Sequence, residues 1–340
     1  MVKKVLLTFK DAGKNQAGPK ATQDVEKILV NHGFESETFY LNLDSKIKKL
    51  YYAKYYFSRM FRKRGIDELV VQYPIYSRYI VKAIITNFRK YSNGKIYFVI
   101  HDLEGLRLYK DDETYSQDEL DFFRLIDGVI AHNPSMKKYL ESKGIKGKIT
   151  CVNFFDYLVK EDSSDFNVEN ISKNRICFAG NLAKASFLDK LSLSDIKLDV
   201  YGVNRSTSYN NGIEYKGVFP PDQLPLMLHE KFGLVWDGNS IKKCGGTYGN
   251  YIKYNSPHKA SLYLSAGIPI IVWNQSAISE LVEEYGLGIS VNSLENIDQV
   301  VLGIPESTYL ELKNNAVRYS NKIRSGQNII KAIKSLEERV

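Results

Sequence analysis

The stretch YNSPHKASLYLSAGIPIIVW, residues 254–273, decides how this chain is read. A polar cluster of Tyr254, Asn255, Ser256, His258 and Lys259 precedes an apolar-periodic run through Leu262, Tyr263 and Ala266, which Gly267 stops. Residues 268–273 then read as a buried strand. Ser256 fits an N-cap and Pro257 the first helical position, so a helix is predicted to begin at the polar cluster. Its backbone N–H groups and positive dipole end make a seat for phosphate, and Lys259, one turn in, adds a full charge there. By themselves these residues specify an anion site at a helix start. An amphipathic helix and strand with a solvated polar end carry the same pattern.

The rest of the chain sets this stretch in a larger frame. With 340 residues, two domains fit better than one. The 44% hydrophobic and 25% charged content is that of a globular protein, and no apolar run reaches membrane-spanning length. The basic start at Lys3 and Lys4 leads straight into a strand without a signal-peptide core, so a cytoplasmic chain is expected, peripheral at most to the inner face of a membrane. Cys151, Cys177 and Cys244 are far apart and read as thiols in a reducing compartment. The histidines show no ligand spacing, so no metal is expected. A net charge of +8 favours an acidic partner without choosing among nucleotide, nucleic acid and anionic membrane.

In the first half, residues 3–9 form a strand, followed by the polar glycine loop KDAGKNQAGPK (10–20) and a helix over 21–32. This opens a βαβ unit, whose ligands gather at strand ends. There is no G-x-G-x-x-G and hence no dinucleotide fingerprint. Strands at 37–41 and 68–72 flank KIKKLYYAKYYFSRMFRKR (46–64), a helical pattern without an acidic residue. Basic residues interleaved with aromatic ones suit an anionic membrane or lipid-linked acceptor, a packed helix with a solvated basic face, or single-stranded nucleic acid. The third is set aside, and no nucleic-acid partner is expected. After a strand over 95–100, His101 and Asp102 stand at its carboxyl end, with Glu104 as a second carboxylate. Further strands cover 127–132 and 148–153, and a helix covers 134–143. The polar, acidic segment 159–174 is the predicted linker.

The second half repeats the alternation. A strand over 175–179 leads into GNLAKAS (180–186), where Gly180 permits close backbone approach to a ligand and Lys184 offers charge to a phosphate. Strands at 199–203, 213–218 and 232–237 follow, with a helix near 221–229. CGGTYGN (244–250) reads as a flexible glycine loop able to order over a ligand, and the turn at 286–288 leads into helices to the end.

Residues 262–271, LYLSAGIPII, resemble the YLxAGxPVI donor segment of GT-B glycosyltransferases. Within that fold the chain is similar to bacterial β-1,6-galactofuranosyltransferases and to the glucosyltransferase 3 group that extends glycans of serine-rich-repeat adhesins. His101-Asp102 resembles the "HD" segment of both groups, and the loop from Asp11 to Lys20 resembles the galactofuranosyltransferase opening. The resemblance covers nearly the whole chain and implies an α/β GT-B architecture. Two Rossmann-like domains face across a cleft, the acceptor domain at 1–160 and the nucleotide-sugar domain at 170–325, and a C-terminal helix at 326–340 crosses back to the first. It implies a UDP-sugar donor site at Gly180, Asn181, Lys184, Tyr201 (a wall beside the base), Asn204, Tyr254, Asn255, Ser256, Pro257, His258 and Lys259. The implied acceptor contacts are Lys14, Gly18, Lys20 and His101. Asp102 is the implied base, with Glu104 and Asp11 behind it. Many retaining GT-B enzymes carry two glutamates beside the donor helix; residues 254–259 contain neither, which implies inversion. No Asp-x-Asp motif occurs, so no metal or other cofactor is expected. The acceptor that the resemblance implies is a glycan, lipid-linked or glycoprotein, and the assembly it implies is a homo-oligomer. Replacing Lys259 by Ala is expected to cost turnover far more than stability. A sugar-nucleotide 2-epimerase and a non-catalytic basic scaffold are the rival readings.

Overall fold

The computed structural model describes residues 2–11, 20–41, 45–159 and 172–338. Six strands build the first sheet: β1 (Lys4–Asp11), β2 (Phe34–Leu41), β3 (Glu68–Tyr73), β4 (Lys95–Ile100), β5 (Gly128–Ala131) and β6 (Lys148–Cys151). All neighbours are parallel, in the order β2-β1-β3-β4-β5-β6. Six more build the second: β7 (Ser172–Ala179), β8 (Lys197–Tyr201), β9 (Ile213–Gly217), β10 (Glu230–Val235), β11 (Ile270–Trp273) and β12 (Gly288–Val291). Again all pairs are parallel, in the order β12-β11-β10-β7-β8-β9.

A parallel sheet is covered on both faces, so its strands carry apolar runs rather than alternation. Every residue of β3, β5, β10 and β11 is accordingly buried. The crossover helices supply the cover. Arg78–Tyr91 buries Ile80, Val81, Ile84, Ile85 and Phe88, the spacing of one helix face. In each sheet the strand order reverses once, between β1 and β3 and between β7 and β10. Loops at the carboxyl ends of those strands part there and leave room for a ligand.

The chain divides into two compact units, 1–152 with 329–340, and 153–328. Residues 153–159 belong to the second unit because Phe154 and Tyr157 sit in its core and Asn328 donates to Phe154 O at 2.9 Å and Asp156 Oδ1 at 3.1 Å. The helix Gln327–Glu337 then runs into the first unit, where Ile329, Ala332, Ile333 and Leu336 are buried and Thr150 Oγ1 donates to Ala332 O at 3.2 Å. Most of the predicted linker lies outside the described residues. Among the described residues no helix is long and apolar enough to cross a membrane, and all three cysteines are free thiols.

Two local readings change. Residues 244–250, expected as a flexible loop, run into the helix Gly246–Tyr251, which takes up all of them from Gly246 on. Its Gly249 lies against backbone, since a Cβ there would stand 2.7 Å from Cys244 C and 2.8 Å from Asp237 O. The glycine serves close packing rather than mobility. After Gly286, where only a turn and helices are expected, β12 adds an edge strand too short to show a period.

A close contact between a strand and a side chain in the second unit lies between β10 and the helix His258–Ser265. An added Cβ at Gly233 would stand 2.2 Å from Tyr263 Cγ, and Tyr263 is fully buried. Replacing Gly233 with Ala is therefore expected to destabilise the protein by about 1–3 kcal/mol or more, read as a lower denaturation midpoint at unchanged slope.

Candidate active site

At the second reversal point three loops gather around the start of His258–Ser265. Gly180 follows β7 with φ of 153°, and Gly202 follows β8 with φ of 140°. A Cβ at Gly202 would stand 1.8 Å from Gly180 O, so these loops meet backbone to backbone. Asn181 Oδ1 accepts from Ala183 N at 3.2 Å and from Asn204 Nδ2 at 3.0 Å. Asn204 holds a left-handed φ of 60°, which asparagine tolerates better than most residues. Gly180, Asn181 and Asn204 thus stand together. Lys184 is exposed, its ammonium 4.6 Å from the centroid of the Tyr248 ring.

The helix begins one residue later than expected. Pro257 is the N-cap, with extended ψ of 133° and no side-chain cap bond, and Ser256 is buried beneath it. The dipole end is therefore left to an acceptor from elsewhere. Asn255 Oδ1 is buried, and among the described residues no donor reaches it. The ring of His258 lies 4.9 Å from that of Tyr157, and the half-buried Tyr254 donates its N–H to Tyr251 O at 2.9 Å.

Lys259 departs from its expected part. Its ammonium lies 2.6 Å from Asp237 Oδ1 and 2.9 Å from Trp236 O, and 4.5 Å from the Phe178 ring centroid. Asp237, just past β10, answers the charge that the helix spacing alone assigns to a phosphate. Tyr201 also differs. It is 6% exposed, and its hydroxyl donates to Glu230 Oε1 at 2.6 Å. That bond to a buried carboxylate draws the ring into the core instead of presenting it as a wall.

In the first unit, His101 Nε2 lies 2.7 Å from Gln72 Oε1, while Gln72 Nε2 donates to Thr8 Oγ1 at 2.8 Å and Thr22 O at 3.1 Å. With the amide nitrogen donating, its oxygen must accept, so His101 carries its proton on Nε2. Burial pushes the His101 imidazole down to about 4. Burial, and then the neighbouring His101, push His132 down to about 3. Both are neutral at pH 7.

Asp102 is 26% exposed and lies 2.9 Å from Arg107 Nη1. Glu104 has no exposed side-chain surface; it accepts from Arg107 Nε at 3.1 Å, from Arg107 Nη2 and from the Tyr76 hydroxyl at 2.8 Å. With no route to a substrate proton, Glu104 orients Arg107, and Arg107 in turn holds Asp102. Glu119 lies beneath, accepting from the N–H groups of Glu104 and Gly105 at 3.1 and 3.0 Å and from the Tyr73 hydroxyl at 3.0 Å. Burial raises its carboxyl to about 7. Lys20 is buried and paired with Asp24 at 2.7 Å, so its charge is spent inside the helix Lys20–Asn31 instead of facing an acceptor. Lys14, Gly18 and the Asp11 side chain lie outside the described residues.

Sequence reasoning missed Asp237, Arg107, Glu119, His132 and Gln72. Arg107 had a local signal, three residues beyond Glu104 and so one turn away, and Gln72, His132 and Asp237 each close a predicted strand. Among the described residues no group of three or more His, Cys, Asp or Glu side chains is placed to hold a metal ion.

Comparison with known proteins completes the picture. The model for the N-terminal domain of glucosyltransferase 3-like proteins matches residues 3–154, and that for their C-terminal domain matches 176–336. The chain is 32% identical over 265 residues to beta-1,6-galactofuranosyltransferase WbbI of Escherichia coli (strain K12), covering 76% of each chain. This chain belongs to the glucosyltransferase 3-like family. It is also 24% identical to glucosyltransferase 3 of Streptococcus gordonii, over 90% of each chain. Sucrose-phosphate synthase from Thermosynechococcus elongatus shares its fold with a TM-score of 0.68 at 13% identity, over 98% of each chain. An alpha-glucosyltransferase in complex with UDP does so with 0.57 at 11% identity, over 98% of this chain and all of that one. The fold is GT-B and the protein is a glycosyltransferase. As a member of this family it is an enzyme, which removes the scaffold reading.

Two outcomes follow from the geometry. Lys259→Ala leaves a half-buried Asp237 carboxylate without its cation and should cost about 1–3 kcal/mol in stability. Adding Asp237→Ala should restore part of that loss, read from a double-mutant cycle of unfolding free energies. In the folded protein His101 and His132 should not titrate near their ordinary 6.5. Their folded values lie below the unfolded one, so their contribution to stability is complete above pH 6.5 and falls as pH drops through about 4 and then 3. Imidazole proton shifts followed by NMR against pH test this.

Proposed function

We propose that this glycosyltransferase moves a hexose from a UDP sugar, galactofuranose favoured, to a sugar acceptor of a bacterial surface glycan, with inversion at the anomeric carbon. The observation that carries the choice of sugar is the 32% identity to a galactofuranosyltransferase across 76% of both chains. The second unit suits the donor. The uncapped helix start at Pro257 and the exposed Lys184 suit a diphosphate, and the unsatisfied Asn255 Oδ1 suits a donor group of the nucleotide or sugar.

In the proposed reaction an acceptor hydroxyl attacks the anomeric carbon and gives its proton to Asp102. The bond from that carbon to the diphosphate oxygen breaks and UDP leaves with the electron pair. Helix N–H groups and Lys184 meet the growing charge, so the reaction is proposed to need no metal. Transfer of glucose from UDP-glucose to an N-acetylglucosamine-modified serine-rich adhesin is the second reading, favoured by the glucosyltransferase 3-like models that match both halves.

A thermal-shift panel of UDP, UDP-glucose, UDP-galactopyranose, UDP-galactofuranose and UDP-N-acetylglucosamine tests the donor. At a hundredfold its dissociation constant a ligand adds about 2.7 kcal/mol, and UDP-galactofuranose is expected to give the largest shift. Asp102→Asn should lower acceptor-dependent UDP release by about 100-fold or more while leaving the donor shift in place. EDTA should leave the rate unchanged. A largest shift with UDP-glucose transfers the assignment to the second reading, and UDP release without acceptor argues for the epimerase.

A further inference from the structure

Residues 46–64 form one helical rod: an α-helix over Lys46–Tyr51, a π turn over Tyr52–Tyr56 and an α-helix over Phe57–Arg64. Its inner side is accounted for. Ala53, Phe57, Met60 and Phe61 are buried, and Tyr52 and Tyr56 stand edge-on to Phe39 at 5.5 and 5.3 Å. The outer side is not. Ile47 is 83% exposed, Tyr55 70%, Tyr51 54% and Leu50 47%, and Lys46–Tyr51 buries no residue. Tyr51 and Tyr55 stack on each other at 6.4 Å, and Tyr51 also meets the edge of Tyr52 at 5.8 Å.

The charge on this face has one sign. Lys46, Lys48, Lys54, Arg59, Arg62 and Lys63 are exposed, and among the described residues none of them pairs with a carboxylate. Arg64, on the inner side, does pair, with Glu37 and Glu35. A second copy meeting this face about a two-fold axis would bring the same lysines together, and lysine is depleted in protein interfaces. Single-stranded nucleic acid is held in basic grooves, whereas the outside of a helix is convex. An anionic lipid surface suits both features at once. Aliphatic and tyrosine side chains enter the boundary between headgroups and acyl chains, while long basic side chains reach the anionic headgroups.

We propose that the outer face of 46–64 docks this enzyme on an anionic membrane surface, with Ile47, Leu50, Tyr51 and Tyr55 as the inserted residues. The docking does not depend on which sugar is transferred.

The full chain is sedimented with vesicles of phosphatidylcholine alone and of phosphatidylcholine with phosphatidylglycerol. Binding is expected to the anionic vesicles only, and to weaken as salt is raised. The triple variant Ile47→Ser/Tyr51→Ser/Tyr55→Ser and the triple variant Lys46→Ser/Lys48→Ser/Lys54→Ser should each lose about tenfold or more in vesicle affinity. Their melting temperature should not change, since these side chains lie outside the core. Equal binding by the variants, equal binding to neutral vesicles, or no sedimentation of the wild type overturns the proposal. Loss of a light-scattering dimer in the variants, with the wild type indifferent to vesicles, overturns it in favour of a self-interface. Binding to poly(U) in place of vesicles overturns it in favour of nucleic acid.

Discussion

The second unit depends on how Tyr263 is seated. Its side chain lies against Gly233 of β10, where no Cβ fits, and its hydroxyl oxygen accepts from Ala179 N at 2.7 Å, at the end of β7. One side chain thus ties the helix His258–Ser265 to both strands at which the sheet order reverses. The position of the helix start, and with it the proposed site for a diphosphate, follows from that contact. Lys259 adds a second tie through Trp236 O and Asp237 at the end of β10. A charged group close to the proposed ligand site is here also part of what holds that site in shape.

The first unit solves its problem with polar groups. Three carboxylates crowd its strand ends, and each has donors: Asp102 from Arg107, Glu104 from Arg107 and Tyr76, Glu119 from Tyr73 and two backbone N–H groups. Buried charge is tolerated only when so satisfied. Gly105 belongs to the same arrangement, because a Cβ there would stand 2.9 Å from Glu119 Oε2. The result leaves Asp102 as the member with exposed surface while the other two keep its partner in place. His101 and His132, both neutral, add shape and hydrogen bonding there without adding charge.

Each site has one side that belongs to the fold and one that faces outward. Glu104, Tyr201, Lys20 and the ammonium of Lys259 face the fold; Lys184, Asp102 and the helix start at Pro257 face outward. Residue type and spacing are the same in both cases. A lysine one turn into a helix and a glutamate two residues after an aspartate look equally available until their surroundings are known.

The sequence by itself determined the alternation of strands and helices, the parallel sheets, the family and the helix start near Pro257. The alternation and the helix start rest on local signals: apolar runs bounded by glycine, 3.6-residue periodicity, and cap chemistry within a few positions. The family and the parallel sheets rest on the resemblance of residues 262–271 and of His101-Asp102 to GT-B segments. What only the tertiary structure decided was which charges are spent. Asp237 meets Lys259 across 22 residues of chain and Glu119 reaches Glu104 across 15, and no spacing rule spans such gaps. The tertiary structure also turned a glycine-rich loop into the helix Gly246–Tyr251 and left Ile47, Tyr51 and Tyr55 outside the core. Periodicity names the residues that share a face. Packing against distant segments decides whether that face is covered.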